Sequence, residues 1–403
     1  MEKKMHPLVT LALSVILLTF TNAAWAQTEK VIYSFTGGTD GGEPEGGVIV
    51  DAKGNLYGTT QSGGAGGAGT VFELTPNSDG TWTEQVIHSF VFNGADGGLP
   101  FSSLTFDSKG NLYGMTVAGG AAEGGTVFEL SPGSNGVWNE QILFSFNGGS
   151  DGGSLDGGKL TLDGSGNIYG TCFSGGAYGF GVVFELTPGS NGIWTETILH
   201  SFAGGNDGSG PLNESLALDA DGNVYGITSV GGPYDYGVVF ELLHGSNGTW
   251  TEKILHAFTG GADASNPSGG LIFDASHNLY GASFYYAFEL STGSNGAWTE
   301  KQIHQFTGGS DGAYPESALV FDKAGNLYGT TSDGGFHRGT VFELIPGPDG
   351  TWTEKILHKF SPTGGDGVFP AYPALAISLN GTLYGTTQSG GASNEGVVFA
   401  VKP

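Results

Sequence analysis

The chain has 403 residues and is strongly acidic, with 39 Asp and Glu against 13 Lys and Arg and a formal net charge of −26 at pH 7. Binding to nucleic acid needs clustered basic side chains that displace counterions from phosphates, so this composition excludes nucleic acid as a partner and disfavours anionic membrane surfaces. A single cysteine, Cys172, excludes an intrachain disulfide, so packing has to supply the stability.

The N-terminal segment predicts an export signal. Lys3 and Lys4 precede an apolar stretch, Leu8 to Phe20, that is too short to span a bilayer, and residues 24–26 (Ala-Trp-Ala) match a cleavage site. We therefore predict a signal peptide over residues 1–26 and one mature domain over residues 27–403; the alternative is an uncleaved anchor. We expect a secreted or periplasmic monomer with no membrane insertion after signal removal.

The mature chain is a tandem repeat. The stretch Gly54 to Thr60 (Gly-Asn-Leu-Tyr-Gly-Thr-Thr) returns six times, with spacings of 56, 56, 56, 55, 48 and 56 residues between its tyrosines. Those tyrosines are Tyr57, Tyr113, Tyr169, Tyr225, Tyr280, Tyr328 and Tyr384. A fixed period of this length is typical of a repeat architecture.

Each repeat reads as four short strands. In the first unit, the apolar run at Val48 is followed by a turn, residues 51–55, that uses the backbone bonding of Asp and the positive φ of Gly. The chain then returns through residues 56–60, and a third strand covers 70–74. Residues 82–90 alternate with period two after an opening Trp, which we expect to bury about 200 Å². No segment has the apolar period of a helix.

Counting the strands predicts a closed ring. The second and third strands each occur seven times, but the Trp-opened fourth strand follows a third strand only six times. Its seventh copy is N-terminal, because residues 28–35 align with residues 353–360. We predict an all-β, seven-bladed β-propeller with four antiparallel strands per blade, closed by the N-terminal strand, which leaves no free sheet edge.

These repeated motifs, together with the Gly-Gly loop and Gly-Thr-Val-Phe-Glu-Leu, resemble the GloVer tandem-repeat family of exported bacterial "choice-of-anchor" proteins. The resemblance covers about residues 29 to 401. It implies an exported repeat protein and supplies no catalytic residues. Because such proteins often carry a C-terminal sorting segment, and this sequence stops at Pro403, we expect a freely secreted or periplasmic protein.

One aspartate recurs in the loop between successive units. The set is Asp40, Asp96, Asp151, Asp207, Asp263, Asp311 and Asp366. A ring of carboxylates could bind a hard cation, with Ca²⁺ the best match for oxygen ligands. The alternative, which we favour, is that each Asp bonds the backbone amides of its own loop. Ca²⁺ is the only cofactor that we predict.

Two further repeated residues favour structural roles. The third-strand glutamates (Glu73, Glu129, Glu185, Glu241, Glu289, Glu343) form no isolated pair of the kind that cleaves glycosides. The histidines (His88, His200, His256, His304, His358) occupy one strand position that Phe144 and Tyr33 fill elsewhere, which indicates a packing position and disfavours a transition-metal ligand.

The loop between the second and third strands breaks the symmetry in units three to six. Its candidate ligand-binding residues are Tyr178, Tyr234, Asp235, Tyr236, Tyr285, Tyr286, Phe336, His337 and Arg338. Exposed rings with polar tips suit stacking on sugars or docking of an extracellular protein. The structural alternative is that these rings cover neighbouring loops.

Two function hypotheses follow. The first, which we favour, is an exported, non-enzymatic binding or scaffold propeller with a carbohydrate or extracellular protein ligand. The second is an extracellular polysaccharide-acting enzyme, a hydrolase or lyase. An enzyme should show a pocket at the channel mouth with unrepeated polar residues of perturbed pKa, whereas a binder should show a shallow aromatic patch.

Overall fold

A computed structural model describes residues 29–155, 158–211, 215–370 and 374–403. The predicted signal peptide, residues 1–26, lies outside the described residues. Within those ranges the chain forms strands, with no α-helix and only three single-turn 3₁₀ segments at Ser134–Gly136, Gly205–Asp207 and Gly261–Asp263. No helix in this part of the chain is long and apolar enough to cross a membrane.

The strands follow the predicted repeat. Strand β1 is Lys30–Ser34, and the first blade is β2 Ile49–Val50, β3 Leu56–Thr60, β4 Gly67–Pro76 and β5 Trp82–Val91. A small extra pair, β6 Gly97–Gly98 and β9 Ala118–Gly119, flanks the second blade, which is β7 Thr105–Phe106, β8 Leu112–Thr116, β10 Thr126–Pro132 and β11 Trp138–Ser145. The third and fourth blades are β12 Thr161–Leu162, β13 Ile168–Cys172, β14 Val182–Pro188 and β15 Trp194–Ser201, then β16 Ala217–Leu218, β17 Val224–Thr228, β18 Val238–His244 and β19 Trp250–Ala257.

The second half continues in the same order. The fifth and sixth blades are β20 Pro267–Phe273, β21 Leu279–Ser283, β22 Tyr286–Thr292 and β23 Trp298–Gln305, then β24 Val320–Phe321, β25 Leu327–Thr331, β26 Thr340–Pro346 and β27 Trp352–Lys359. Strand β28 Gly367–Pro370 leads into the last blade, with β29 Ala376–Ile377, β30 Leu383–Gly390 and β31 Val397–Val401.

The first six blades are antiparallel sheets in chain order, and the ring closes as predicted in the seventh. Strand β1 pairs with β31, with Lys30 opposite Ala400 and Ser34 opposite Val397, so the N-terminal strand supplies the outer strand of the seventh blade. The seven-bladed β-propeller closed by its N-terminal strand is therefore confirmed.

The tight turn between the first two strands depends on an aspartate in six blades, and Ser378 takes its place in the seventh. The Oδ1 atom of Asp51 accepts hydrogen bonds of 2.8 Å from the backbone N–H groups of Lys53 and Asn55, and Gly54 has a φ of 90°. A side-chain acceptor that satisfies amides two and four residues on replaces the missing strand partners, which fixes the hairpin register.

Aromatic contacts join neighbouring blades. Phe90, at the end of β5, meets Phe128 of the next blade edge to face, with ring centroids 5.2 Å apart. The equivalent contact occurs at all seven blade boundaries, at 4.9 to 5.3 Å: Phe35–Phe72, Phe90–Phe128, Phe146–Phe184, Phe202–Phe240, Phe258–Phe288, Phe306–Phe342 and Phe360–Phe399. Edge-to-face rings contribute about 0.5–1.5 kcal/mol beyond their buried area.

The strand-opening tryptophans pack against the neighbouring blade while keeping part of their surface in solvent. Each strand-opening Trp is only partly buried, as at Trp138, whose ring lies 6.0 Å from that of Tyr57 in the preceding blade. Phenylalanines instead fill the core, and Gly58 makes room for one, because a Cβ atom there would lie 2.6 Å from Cζ of Phe72.

Candidate functional site

One face of the ring carries two sets of loops, those that enter each blade and those that join its second and third strands. In the first blade the two loops are bonded to each other, with the N–H of Gly42 donating to the carbonyl of Ser62 over 3.0 Å. We call this surface the loop face. It holds the residues that break the sevenfold repeat.

The seven loop aspartates all bond their own loops. Asp40 accepts a hydrogen bond from the backbone N–H of Thr36 over 2.9 Å, and the other six make the same contact at 2.5 to 3.0 Å. These contacts support the loop-anchoring interpretation. Binding of Ca²⁺ by the same carboxylates stays a prediction.

Five of these aspartates also belong to polar clusters at the blade boundaries, which we call seam clusters. Each combines a histidine from the outer strand of one blade, the aspartate that follows it, and a glutamate from the outer strand of the next blade. The clusters are His88–Asp96–Glu140, His200–Asp207–Glu252, His256–Asp263–Glu300, His304–Asp311–Glu354 and His358–Asp366–Glu29. One imidazole nitrogen and two carboxylates form a donor set suited to a transition metal.

The seam clusters are electrostatically unbalanced. His88 Nε2 lies 3.3 Å from Glu140 Oε1 and 3.6 Å from Asp96 Oδ2, yet none of these pairs is a hydrogen bond, and Glu140 Oε1 is buried without a partner. Burial raises the pKa of Glu140 to about 7 and that of Glu252 to about 9. Two carboxyls and one imidazole in a half-buried seam can hold a shared proton or a cation.

Packing explains the alternation between histidine and other aromatic residues. The His88 ring contacts the Phe90 ring at 4.5 Å, and Phe144 makes the same edge-to-face contact with Phe146 at 4.8 Å. Histidine at this position therefore occupies the predicted packing position and adds a polar tip to the seam.

The predicted aromatic residues divide into two groups. Tyr236 covers a neighbouring loop, as does Phe180 in the corresponding loop of blade three, because a Cβ atom on Gly260 or Gly204 would meet their rings at 2.7 and 3.2 Å. Tyr178, Tyr234 and Phe336 are instead more than half exposed. In blade four, Asp235 accepts a hydrogen bond from the N–H of Gly231, which makes it part of its loop.

A compact aromatic cluster forms in blades five and six. Tyr285 and Tyr314 have their rings 5.3 Å apart and their hydroxyl oxygens 3.1 Å apart, and Phe284 lies 5.6 Å from Tyr314. Tyr286 is separate, since its hydroxyl accepts a hydrogen bond from Gln305. The aromatic cluster (Phe284, Tyr285, Tyr314) presents polar tips and apolar faces together.

Beside this cluster lies a cavity of 420 Å³ between blades six, seven and one, which we call the loop-face cavity. It is lined by Glu45, Glu316, Ser332, Asp333, Phe369, Pro370 and Gln388. The carbonyl of Tyr314 accepts hydrogen bonds from the N–H groups of Glu316 and Ser332, so the aromatic cluster and the cavity wall share one loop.

Two glutamates line the cavity, Glu45, which is buried, and Glu316, which is half-buried. Glu45 is 5 % exposed, and its Oε1 accepts a hydrogen bond of 2.6 Å from Nε2 of Gln388. Burial raises the pKa of Glu45 to about 7 and also raises the pKa of Glu316. Carboxyls with perturbed pKa values inside a cavity are typical of functional sites.

Two of the predicted residues, Arg338 and His337, contact residues that line the loop-face cavity. The Arg338 guanidinium lies over the Phe369 ring, 5.1 Å from its centroid, and His337 Nδ1 lies 3.5 Å from Asp333 Oδ1. Phe369 and Tyr314 have φ values of 57° and 56°, at a loop position that is Gly210 in blade four. The same loop position has a positive φ in other blades, at Glu43, Leu99 and Ser154, so this strained backbone is a feature of the repeat and costs about 1–3 kcal/mol per residue.

The central channel contains a second cavity, of 390 Å³, lined by residues from the innermost strands of all seven blades. Of the described residues lining it, Lys159 alone is charged, and burial lowers the pKa of its amine. Its walls are otherwise mostly small or apolar side chains.

Sequence reasoning found the rim (His337, Arg338) and one ring of the aromatic cluster (Tyr285) but missed Tyr314, Glu45, Glu316 and Gln388. The signal lay in the loops entering the blades, where the position of Glu45 is Phe101 in the second unit and Ser268 in the fifth. Among the described residues, no contact links Tyr178 or Tyr234 to the cavity.

The sequence matches the Gloeobacter/Verrucomicrobia repeat family over residues 19–164, 134–287 and 286–403. No curated protein sequence matches the chain.

Several solved structures are similar in fold. Virginiamycin B lyase from Staphylococcus aureus matches with a TM-score of 0.55 at 14 % identity, covering 93 % of this chain and 99 % of that one. The extracellular domain of a candidate one-component system from B. thetaiotaomicron matches with a TM-score of 0.56 at 11 % identity, covering 93 % and 40 %. A protein from Lactobacillus plantarum gives 0.52 at 15 % identity, covering 77 % and 83 %. At these identities the similarity shows the fold alone.

Proposed function

We propose that this chain, which belongs to the Gloeobacter/Verrucomicrobia repeat family, is a non-enzymatic binding propeller whose loop-face cavity takes a carbohydrate ligand. The observation that carries the proposal is a cavity lined by polar side chains from three neighbouring blades, whose wall shares a loop with the aromatic cluster. Glu45 and Glu316 occupy the same loop position in the first and sixth units, where the second and fifth units have Phe101 and Ser268, so the two acids meet at one place in the ring.

The chemistry of the cavity suits a sugar. The carboxyls of Glu45 and Glu316, the Gln388 amide and the Ser332 hydroxyl can exchange hydrogen bonds with several ligand hydroxyls. Phe369 supplies an apolar face inside the cavity. The volume of 420 Å³ falls in the range of about 300–1,000 Å³ that small-molecule sites occupy.

A glycan array, followed by isothermal titration calorimetry of the best ligand, tests the proposal. We expect Glu316→Gln and Tyr285→Ala each to weaken binding at least tenfold, because each removes a group from the cavity or its aromatic border. Tyr234→Ala is the matched control, an exposed tyrosine in blade four, and should bind as the unchanged protein does. Loss of binding in Tyr234→Ala but not in Tyr285→Ala would place the site elsewhere and refute the cavity.

A second candidate function is a polysaccharide hydrolase or lyase, favoured by one observation. With a pKa of about 7, Glu45 can donate a proton near neutral pH, as a general acid must. Release of new reducing ends from a bound polysaccharide, abolished in Glu45→Gln, would establish this activity. Binding without product after prolonged incubation would leave the non-enzymatic proposal standing.

We further propose that the protein is exported and monomeric, and that the loop aspartates bind Ca²⁺. Cell fractionation and size-exclusion chromatography with light scattering test the first two statements. Calorimetry with Ca²⁺ that gave neither binding heat nor a raised melting temperature would remove the third.

A further inference from the structure

We infer that the loop-face cavity selects ligands with a basic amino group, which within the proposed carbohydrate function means sugars with a free amine. The inference rests on the proposed function for the identity of the sugar and on the charges of the cavity for the amine. No feature of the repeat requires these charges, because the same loop position holds Phe101 in the second blade and Ser268 in the fifth.

The cavity collects acids without a matching base. Glu45, Glu316 and Asp333 all line it, and none of the described lining residues is Lys or Arg. The nearest cation shown at the rim, Arg338, already lies over the Phe369 ring and donates to the carbonyl of His337 over 3.3 Å. The described lining of the cavity therefore has acidic groups that only a cationic ligand would neutralise.

Glu45 is the most deeply buried of the three acids in the cavity. The residue is 5 % exposed, and its Oε1 accepts a hydrogen bond from the neutral Gln388 amide. Taking a carboxylate out of water without a cation is costly, so a ligand cation beside Glu45 would stabilise its ionised form. An ammonium group brings both the charge and up to three N–H donors.

Ligand charge and Glu45 ionisation should be coupled. Because burial raises the pKa of Glu45 to about 7, this carboxyl is partly protonated at neutral pH in the free protein. An ammonium beside it favours the carboxylate, so binding should expel the proton. A neutral sugar brings no positive charge and should leave the proton on Glu45.

The test is calorimetry of the purified protein at pH 7 with two oligosaccharides of equal length, tri-glucosamine and its fully N-acetylated form. Both are titrated in two buffers of different ionisation enthalpy. We expect the free-amine sugar to bind at least tenfold more tightly and to take the proton from Glu45, which passes to the buffer or to the unprotonated fraction of the sugar amines. Glu45→Gln should remove both effects, while Glu43→Gln, on an exposed residue two positions away, should keep them.

Glu45→Gln is nearly isosteric and can still accept the Gln388 hydrogen bond, and an unchanged melting temperature would verify its fold. Equal affinity for the two sugars, or tighter binding of the acetylated one, overturns the amine inference and leaves the carbohydrate proposal intact. Binding of 1,4-diaminobutane that Glu45→Gln abolishes, with no glycan bound, supports the amine inference and refutes the carbohydrate proposal. No binding of either sugar or of the diamine overturns the inference.

Discussion

Glu252 at the seam between blades three and four should destabilise the propeller at alkaline pH. Its Oε1 is buried without a hydrogen-bond partner, and His200 Nε2 lies 3.8 Å away. Burial, followed by the hydrogen bond and charge of Asp207, raises the pKa of Glu252 from 4.5 to about 9. A raised folded-state pKa means that the protonated form stabilises the fold. That stability is complete below pH 4.5 and is lost as pH rises toward 9.

The size of the effect follows from the shift. From pH 4.5 to pH 8 there are about 3.5 units at about 1.36 kcal/mol each, an upper bound of about 5 kcal/mol. Because the seam is only partly buried and solvent screens its charges, we expect about 2 kcal/mol in practice. For a propeller of this size that corresponds to about 2–3 °C in melting temperature.

The perturbation is Glu252→Gln, which fixes the neutral form of the side chain. Differential scanning calorimetry of chelator-treated protein should show a melting temperature raised by about 2–3 °C at pH 8 and little changed at pH 5. Glu123→Gln, on an exposed loop residue, is the control and should change neither value. An equal shift at both pH values would indicate a packing effect. A lower melting temperature at pH 8 would show that the ionised Glu252 stabilises the seam, which would refute the reasoning.

Three further predictions address the ring and the cavity. Phe90→Ala removes a fully buried ring that contacts Phe128, and should cost about 3–5 kcal/mol in a chemical unfolding titration; a cost below about 1 kcal/mol would show that the blades repack. A truncation starting at Gly37 removes β1 and exposes the edge of β31, so it should melt without cooperativity or aggregate, and a sharp unchanged melting transition would contradict the closure. Phe369→Gly relieves the left-handed backbone and should raise stability by up to about 1 kcal/mol while weakening ligand binding; unchanged affinity would show that this ring does not contact the ligand.

The fold could be predicted because its signals are local and repeated. The interval between the Tyr-Gly strands defined the blade, and the strand count assigned the N-terminal segment, now β1, to the last blade. The tryptophans were recognised as packing residues, although a large ring that opens an outer strand still faces solvent on one side. The phenylalanine at the far end of the same strand is the fully buried one, as Phe90 shows.

The cavity could be predicted only in part, because its walls come from loops that are distant in sequence. Glu45 and Gln388 are 343 residues apart, and only ring closure brings them within hydrogen-bonding distance. The aromatic loops were conspicuous because they change within a repeated motif. Tyr314 and Glu316, in contrast, lie in loops whose residues vary between units, so one change of residue type stands out little, although Glu45 and Glu316 share one loop position.

The bond between Gln388 and Glu45 has a further consequence, because it crosses the one junction of the ring that the backbone does not join. Glu45 follows β1 and Gln388 lies in β30, so this bond adds to the pairing of β1 with β31 and to other contacts across the junction, such as that of Thr386 with Gly46. A ligand bound in this cavity would contact both sides of that junction. Ligand binding should therefore stabilise the closed ring against opening.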